Sequence, residues 1–194
     1  MRFKEIVSRY VSFLIIVPSI LLTFIVLINL ANNAQDVSDS SNGASLLSLT
    51  DNAASLVHEL QKERGMSAGY LGSKGNKFRQ ELGGQRSLVD QNLRVYREFT
   101  EEYKDEFNDS LKASIKSIIN NLSQLSDIRS QVDNLTIALP DALGFYTAQN
   151  KALINQPLAL IEVLDTNGLV QGLIASYNLM QVKEKSGIER AVLT

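Results

Sequence analysis

Cysteine and tryptophan are missing from the 194-residue chain, which also has only three prolines and one histidine. The lack of cysteine excludes a disulfide framework and every thiolate metal site. A single histidine leaves few ligands for a transition metal. We therefore expect the chain to hold no metal and no cofactor.

An excess of basic residues is missing too, because 19 lysines and arginines face 21 aspartates and glutamates and leave a net charge of −2. Proteins that bind nucleic acid usually carry a basic patch, so we expect no nucleic-acid partner. Proline and glycine are sparse, and hydrophobic residues make up 44 % of the chain while aromatic residues make up 7 %. This composition favours an all-α fold over a sheet.

Groups arranged for catalysis are not evident either. His58 falls on the polar face of a predicted helix and has no serine or cysteine partner nearby in the pattern. The carboxylates show no paired spacing that suits acid–base chemistry, and the acidic run from Glu98 to Glu106 is typical of a solvated helix face. We therefore expect that the chain is not an enzyme.

One long apolar run is present, at residues 10–31, and three basic residues precede it. Its length matches the ~20 residues that cross a bilayer core. By the positive-inside rule, the sequence predicts a cytoplasmic N-terminus at 1–9, a transmembrane helix at 10–31 and a juxtamembrane linker, either loop or helix, at 32–43. A cleaved signal peptide is the alternative, although its apolar region normally runs about 7–15 residues.

The remainder, residues 44–194, shows apolar residues at the helical spacing of three to four positions. This pattern predicts five helices, at about 44–71, 77–107, 111–135, 141–164 and from 169 onward. Pro157 is expected to interrupt the fourth helix. The helical spacing of apolar residues in the fifth helix continues up to Thr194, so we interpret the sequence as part of a longer protein.

The first of these helices carries a permanent charge on its apolar face. On a helical wheel, Arg64 falls on the same side as Leu56, Leu60 and Leu71. Burying that charge is costly unless an anion or a hydrogen-bonding group meets it. Two interpretations stay open: the guanidinium reaches water along its apolar stem, or Arg64 belongs to a binding site.

Polar residues also enter the apolar stripes of other helices. Gln85 and Arg86 lie on or beside the stripe of the second helix, Arg129 on that of the third and Glu184 on that of the fifth. For Gln85 and Arg86, an interhelical hydrogen bond and a ligand role are both open. The glycine pair at 83–84 costs roughly 1 kcal/mol per glycine inside a helix, which predicts close approach of a neighbouring backbone or a local distortion.

Two charged phrases frame the helical region, and they are Leu60-Gln61-Lys62-Glu63-Arg64-Gly65 with Ser67-Ala68, and Lys183-Glu184 with Gly187-Ile188-Glu189-Arg190-Ala191. Further characteristic residues lie between the two phrases, and they are Phe78, Gln85-Arg86, Asp90, Asp141-Ala142 and Tyr146-Thr147. With these residues, the region 44–194 resembles the nitrate- and nitrite-sensing (NIT) domain. That domain occurs outside the membrane in bacterial chemoreceptors and sensor kinases, and in soluble antitermination regulators.

The resemblance implies two four-helix bundles of long helices, of which this sequence holds the first bundle and the opening helix of the second. It also implies that nitrate or nitrite binds between the bundles. The implied ligands are Arg64 and Arg190, while Arg86 and Arg129 match family positions with a less defined role. Nitrate is planar and offers three acceptor oxygens, which suits a planar guanidinium.

We therefore expect an extracytoplasmic sensor domain of a bacterial chemotaxis transducer or sensor kinase, anchored in the inner membrane through residues 10–31. Its expected partners are a small anion, the lipid bilayer and a second copy of the chain. Two alternatives stay open. One is a helical-bundle receptor for another ligand or a partner protein, and the other is a purely structural dimerisation module.

Overall fold

Helices account for the regular secondary structure in the described parts of the chain, which are residues 44–161 and 167–192 of a computed structural model, and no strand occurs there. The predicted all-α fold is therefore confirmed. Helix α1 covers residues 44–72. The others are α2 (Glu81–Glu102), α3 (Asp109–Leu122), α4 (Leu125–Asp133), α5 (Leu139–Ile161) and α6 (Asn167–Val192), with a 3-10 turn at Lys104–Glu106.

Three predicted segments lie outside the described residues: the N-terminus at 1–9, the transmembrane helix at 10–31 and the linker at 32–43. The described helices all belong to one compact unit, Gly43–Thr194. Among these helices, none combines the length and the apolar character that crossing a membrane requires.

Helix α1 forms because apolar residues recur every three to four positions, which places them on one side of a helix. Leu49, Ala53, Leu56 and Leu60 are each 0 % exposed. His58, between them in sequence, is exposed on the other side. The predicted apolar face of this helix is therefore confirmed.

Helix α2 begins at Glu81 instead of near residue 77. The delay comes from the turn after α1, in which Lys74 and Phe78 have φ values of 53° and 60° and leave the helical region. The glycine pair at 83–84 consequently lies in the first turn of α2. A Cβ at either position would meet nothing within 4 Å, so the predicted close approach of a neighbouring backbone is wrong.

The third predicted helix, 111–135, is divided into α3 and α4. Asn108 caps α3, since its side chain accepts a hydrogen bond from Leu111 N at 2.8 Å. A turn at Ser123 and Gln124 then breaks the helical hydrogen bonding. The apolar stripe continues across this turn, because Leu122 and Leu125 are both buried.

Helix α5 continues through Pro157 to Ile161, so the expected interruption at that proline is wrong. It packs against α3 and α6. The core that results draws buried side chains from all six helices, among them Leu56, Leu60, Val89, Tyr96, Ile118, Leu125, Tyr146, Leu153, Leu173 and Met180.

Gly69 lies where α1 meets the turn that follows it. A Cβ on this residue would lie 2.4 Å from Phe78 Cε2, well inside contact distance. The Phe78 ring has little room to retreat because it packs against neighbouring buried side chains. The glycine therefore lets the Phe78 ring close over the end of α1, beside a small cluster of Tyr70, Leu82, Val132 and Ala142.

We expect Gly69→Ala to lower the free energy of unfolding by about 1–3 kcal/mol, because the added methyl overpacks this contact. The matched variant Gly84→Ala should raise it by up to about 1 kcal/mol, since alanine favours the helix and the space is open. Urea unfolding followed by circular dichroism measures both. Equal effects of the two substitutions would contradict this account of Gly69.

Candidate functional site

Arg64 is buried where α1, α5 and α6 meet, with its side chain 1 % exposed. Its Nη1 donates to Glu184 Oε1 at 2.5 Å and its Nη2 donates to Glu184 Oε2 at 3.3 Å. Nη1 also donates to Thr147 Oγ1 on α5 at 2.9 Å. The guanidinium is thus met by a carboxylate inside the protein, and it does not reach water.

Glu184 gathers hydrogen bonds from two other helices. Besides Arg64, Gln61 Nε2 on α1 donates to its Oε2 at 2.8 Å, and Asn150 Nδ2 on α5 donates to the same oxygen at 3.3 Å. The Glu184 side chain is 7 % exposed. Neutralisation and hydrogen bonding of this kind offset the cost of burying a carboxylate. Through these hydrogen bonds, Glu184 connects α6 to both α1 and α5.

The space around the Arg64 guanidinium is filled on the α6 side. A Cβ at Gly187 would lie 2.8 Å from Arg64 Nη2, so the glycine lets the helix backbone approach the charge. Arg64 Nε is buried and has no hydrogen-bond partner among the described residues. In the sequence, only the glycine of the second charged phrase hints at this contact.

Glu63 points in a different direction from Arg64, because consecutive residues on a helix are about 100° apart. Its side chain is 0 % exposed. Arg129 holds it with two hydrogen bonds, Nε to Oε1 at 2.7 Å and Nη2 to Oε2 at 2.8 Å. Tyr146 Oη donates to Oε1 at 2.9 Å, and Arg86 Nε lies 3.7 Å from the same oxygen.

Two outer carboxylates complete this second network. Arg129 Nη1 donates to Asp90 Oδ1 at 2.7 Å. Arg86 donates to both oxygens of Asp133 at 2.8 Å. The network, which we call the Glu63 network, therefore joins α1, α2 and α4 through alternating charges and reaches α5 through the Tyr146 hydroxyl.

The pKa values in the Glu63 network follow from this geometry. Burial alone lowers the pKa of Arg129, but the hydrogen bonds and charges of Glu63 and Asp90 outweigh it and raise the pKa above its usual value. The pKa of Arg86 is raised in the same way, because the hydrogen bonds and charge of Asp133 and the charge of Glu63 outweigh the effect of burial. Burial, and then the charge of Glu63, raises the pKa of Tyr146, so its phenol stays protonated and donates.

The four arginines that the sequence singled out thus fall into different surroundings. Arg64 pairs with Glu184, whereas Arg86 and Arg129 share Glu63. Arg190 belongs to α6, but its side chain lies outside the described residues. Sequence reasoning missed Glu63 as a buried residue, because a glutamate between lysine and arginine looks like part of a solvated turn.

A groove lies beside the Arg64–Glu184 pair, between α1 and α6. It has a volume of about 200 Å³, and its lining includes Gln61 and His58 from α1 and Met180 and Lys183 from α6. Gln61 therefore touches both the groove and the buried carboxylate. Within the described residues, no group of histidine, aspartate and glutamate side chains is arranged to hold a metal ion.

We expect Glu63→Gln to lower the free energy of unfolding by about 3 kcal/mol or more, because it leaves Arg129 and Arg86 without their shared buried counter-charge. The control Glu98→Gln removes an exposed carboxylate near Arg94, where an ion pair contributes about 0–1 kcal/mol. Chemical denaturation of both variants measures the difference. A loss of similar size in the two would contradict a stabilising Glu63 network.

Comparisons with known proteins identify the family. A family model described as nitrate and nitrite sensing matches residues 55–194. A nitrate regulatory protein of Klebsiella oxytoca is 31 % identical over 144 residues, which cover 74 % of this chain and 36 % of the relative. The solved structure of the NasR transcription antiterminator superposes with a TM-score of 0.78 at 28 % identity, over 85 % of this chain and 46 % of that one.

These relatives correct several predictions. The extracytoplasmic receptor of the chemotaxis or sensor-kinase type is wrong, because the matched proteins are named as a nitrate regulatory protein and a transcription antiterminator. The inner-membrane location and the bilayer as partner are contradicted by the same finding. The exclusion of nucleic acid is contradicted as well, since an antiterminator acts in transcription. The apolar run at residues 10–31 favours a membrane receptor over a soluble antitermination regulator, which is why the sequence alone led to this prediction.

The chain spans less than half the length of either matched relative. The match nevertheless covers both charged phrases and includes Glu63, Arg64 and Glu184. Because the family model matches most of this chain, residues 55–194, the chain belongs to the nitrate and nitrite sensing family.

Proposed function

We propose that this chain is the nitrate- or nitrite-responsive part of a protein that regulates transcription. Its family and the names of its relatives support this proposal. The observation that carries it is Arg64, a permanent charge buried between three helices and satisfied by a single carboxylate and a hydroxyl. A charge placed in this way is a binding group for a small anion.

The proposed anion suits this group chemically. Nitrate is planar and carries one delocalised charge, so it can accept two parallel hydrogen bonds from a guanidinium. The upper limit of about 1.5 kcal/mol per heavy atom allows about 6 kcal/mol for its four atoms. This energy corresponds to a dissociation constant of tens of micromolar, by the usual conversion.

We assign the ligand contacts to Arg64 on α1 and to Arg190 on α6. These residues come from the two charged phrases, and α6 approaches Arg64 through Gly187. Arg86 and Arg129 belong to the proposed site in a supporting role, because both are already bound to Glu63 and to outer carboxylates. They hold α1 in the orientation that buries Arg64.

The proposed domain comprises residues 44–194. In this proposal α1, α2, the α3–α4 pair and α5 form one four-helix bundle, and α6 opens a second. The core that α1, α2, α3, α4 and α5 share supports the first bundle. α6 packs against α5 and adds Leu173 and Met180 to this core. The domain works by binding and by a shift of helices, not by catalysis, in keeping with the regulatory names of its relatives.

Thermal unfolding of the 194-residue chain in chloride buffer, with and without millimolar nitrate or nitrite, tests the proposal. At about 100 times the dissociation constant, a ligand that binds the folded state adds about 2.7 kcal/mol, which should raise Tm by roughly 5–10 °C. Arg64→Lys should abolish the shift, because lysine keeps the charge but lacks the planar fork.

Arg94→Lys makes the same chemical change at a side chain that is 68 % exposed, and it should leave the shift intact. The proposal fails if the folded wild-type chain shows no shift with either anion. It also fails if Arg64→Lys and Arg94→Lys respond alike.

A further inference from the structure

We infer that Glu184 is a built-in competitor of the anion. Its carboxylate takes the hydrogen-bond positions on Arg64 that nitrate or nitrite would take, so that ligand binding exchanges one anion for another and Glu184 sets the affinity. This inference rests on the proposed function. In addition to the arginines that bind the anion, Glu184 then determines how tightly the anion binds.

The two anions have matching shapes at the point of contact. The Glu184 carboxylate is planar, carries one negative charge and presents Oε1 to Nη1 and Oε2 to Nη2 of Arg64. Nitrate and nitrite are planar, carry one negative charge and can present two oxygens in the same way. Gln61 and Asn150 place donors at this position that either anion can use.

Simultaneous binding of both anions is opposed by space and by charge. Gly187 closes one side of the guanidinium, since even a Cβ there would lie 2.8 Å from Nη2. The side chains of Arg64 and Glu184 are 1 % and 7 % exposed and neutralise each other. A second anion at this point would leave one buried negative charge without a counter-ion, which is strongly unfavourable.

Glu184 also has a route by which to leave. Two of its hydrogen bonds, from Arg64 Nη2 and from Asn150, are long at 3.3 Å. Gln61, which donates to it, lines the groove of about 200 Å³ between α1 and α6. Lys183 lines the same groove and forms no ion pair with any residue in the described parts of the chain. A displaced carboxylate can therefore reach water beside a cation.

Competition of this kind weakens the apparent affinity. If Arg64 is free of Glu184 in only a fraction of molecules, the apparent dissociation constant is the intrinsic one divided by that fraction. Removing the carboxylate should therefore tighten anion binding. It should also lower the stability of the ligand-free chain, because the buried Arg64 charge loses its counter-ion.

Isothermal titration of the full 194-residue chain with sodium nitrate and sodium nitrite, paired with thermal unfolding, tests the inference. Glu184→Gln should unfold at a lower Tm without these anions and should bind at least about tenfold more tightly than wild type. The control Glu189→Gln removes an exposed carboxylate five residues along α6. It should match wild type in both measurements.

A purely structural Glu184 would give a different result, in which Glu184→Gln lowers Tm and leaves binding unchanged or weaker. That outcome overturns the inference while the proposed function stands. Absence of binding in wild type and in Glu184→Gln overturns both. If Glu184→Gln does not fold, Glu184→Asp keeps the charge on a shorter side chain, and tighter binding than wild type supports the inference while equal or weaker binding overturns it.

Discussion

The structure depends on the burial of two opposite charges at neighbouring positions of one helix. Glu63 and Arg64 are 0 % and 1 % exposed, and they point into different contacts because a helix turns about 100° between them. Each must find its counter-charge on other helices. α1 therefore cannot rotate or slide without leaving at least one buried charge unpaired, and this constraint fixes its register against α2, α4, α5 and α6.

The two charges are satisfied in unequal ways. Glu63 receives two hydrogen bonds from Arg129 and one from Tyr146, and outer carboxylates in turn hold the arginines. Arg64 relies on one carboxylate, Glu184, which comes from α6. Loss of either arginine would leave Glu63 beside the other one, whereas loss of Glu184 would leave Arg64 without a counter-charge. The second arrangement is the one suited to exchange with a soluble anion.

Helical periodicity predicted which residues are buried, including Leu56 and Leu60 on α1, and it identified Arg64, Arg129 and Glu184 as polar residues on apolar faces. It could not predict which partners they meet, because a wheel assigns a residue to a face but not to a neighbouring helix. The turn at Ser123 and Gln124 also escaped prediction, since no glycine or proline marks it and the apolar stripe runs across it.

The position of Glu184 determines which helix can move. α1 is tied to α2, α4 and α5 through the Glu63 network, and a rotation that released Arg64 would disturb Glu63 one residue away. Glu184 gives α6 its contacts to Gln61, Arg64 and Asn150. In the exchange that we propose, an anion in place of the Glu184 carboxylate leaves α1 neutralised and in place and breaks these contacts of α6. We therefore expect the displacement on binding to belong to α6, the helix that carries the second charged phrase.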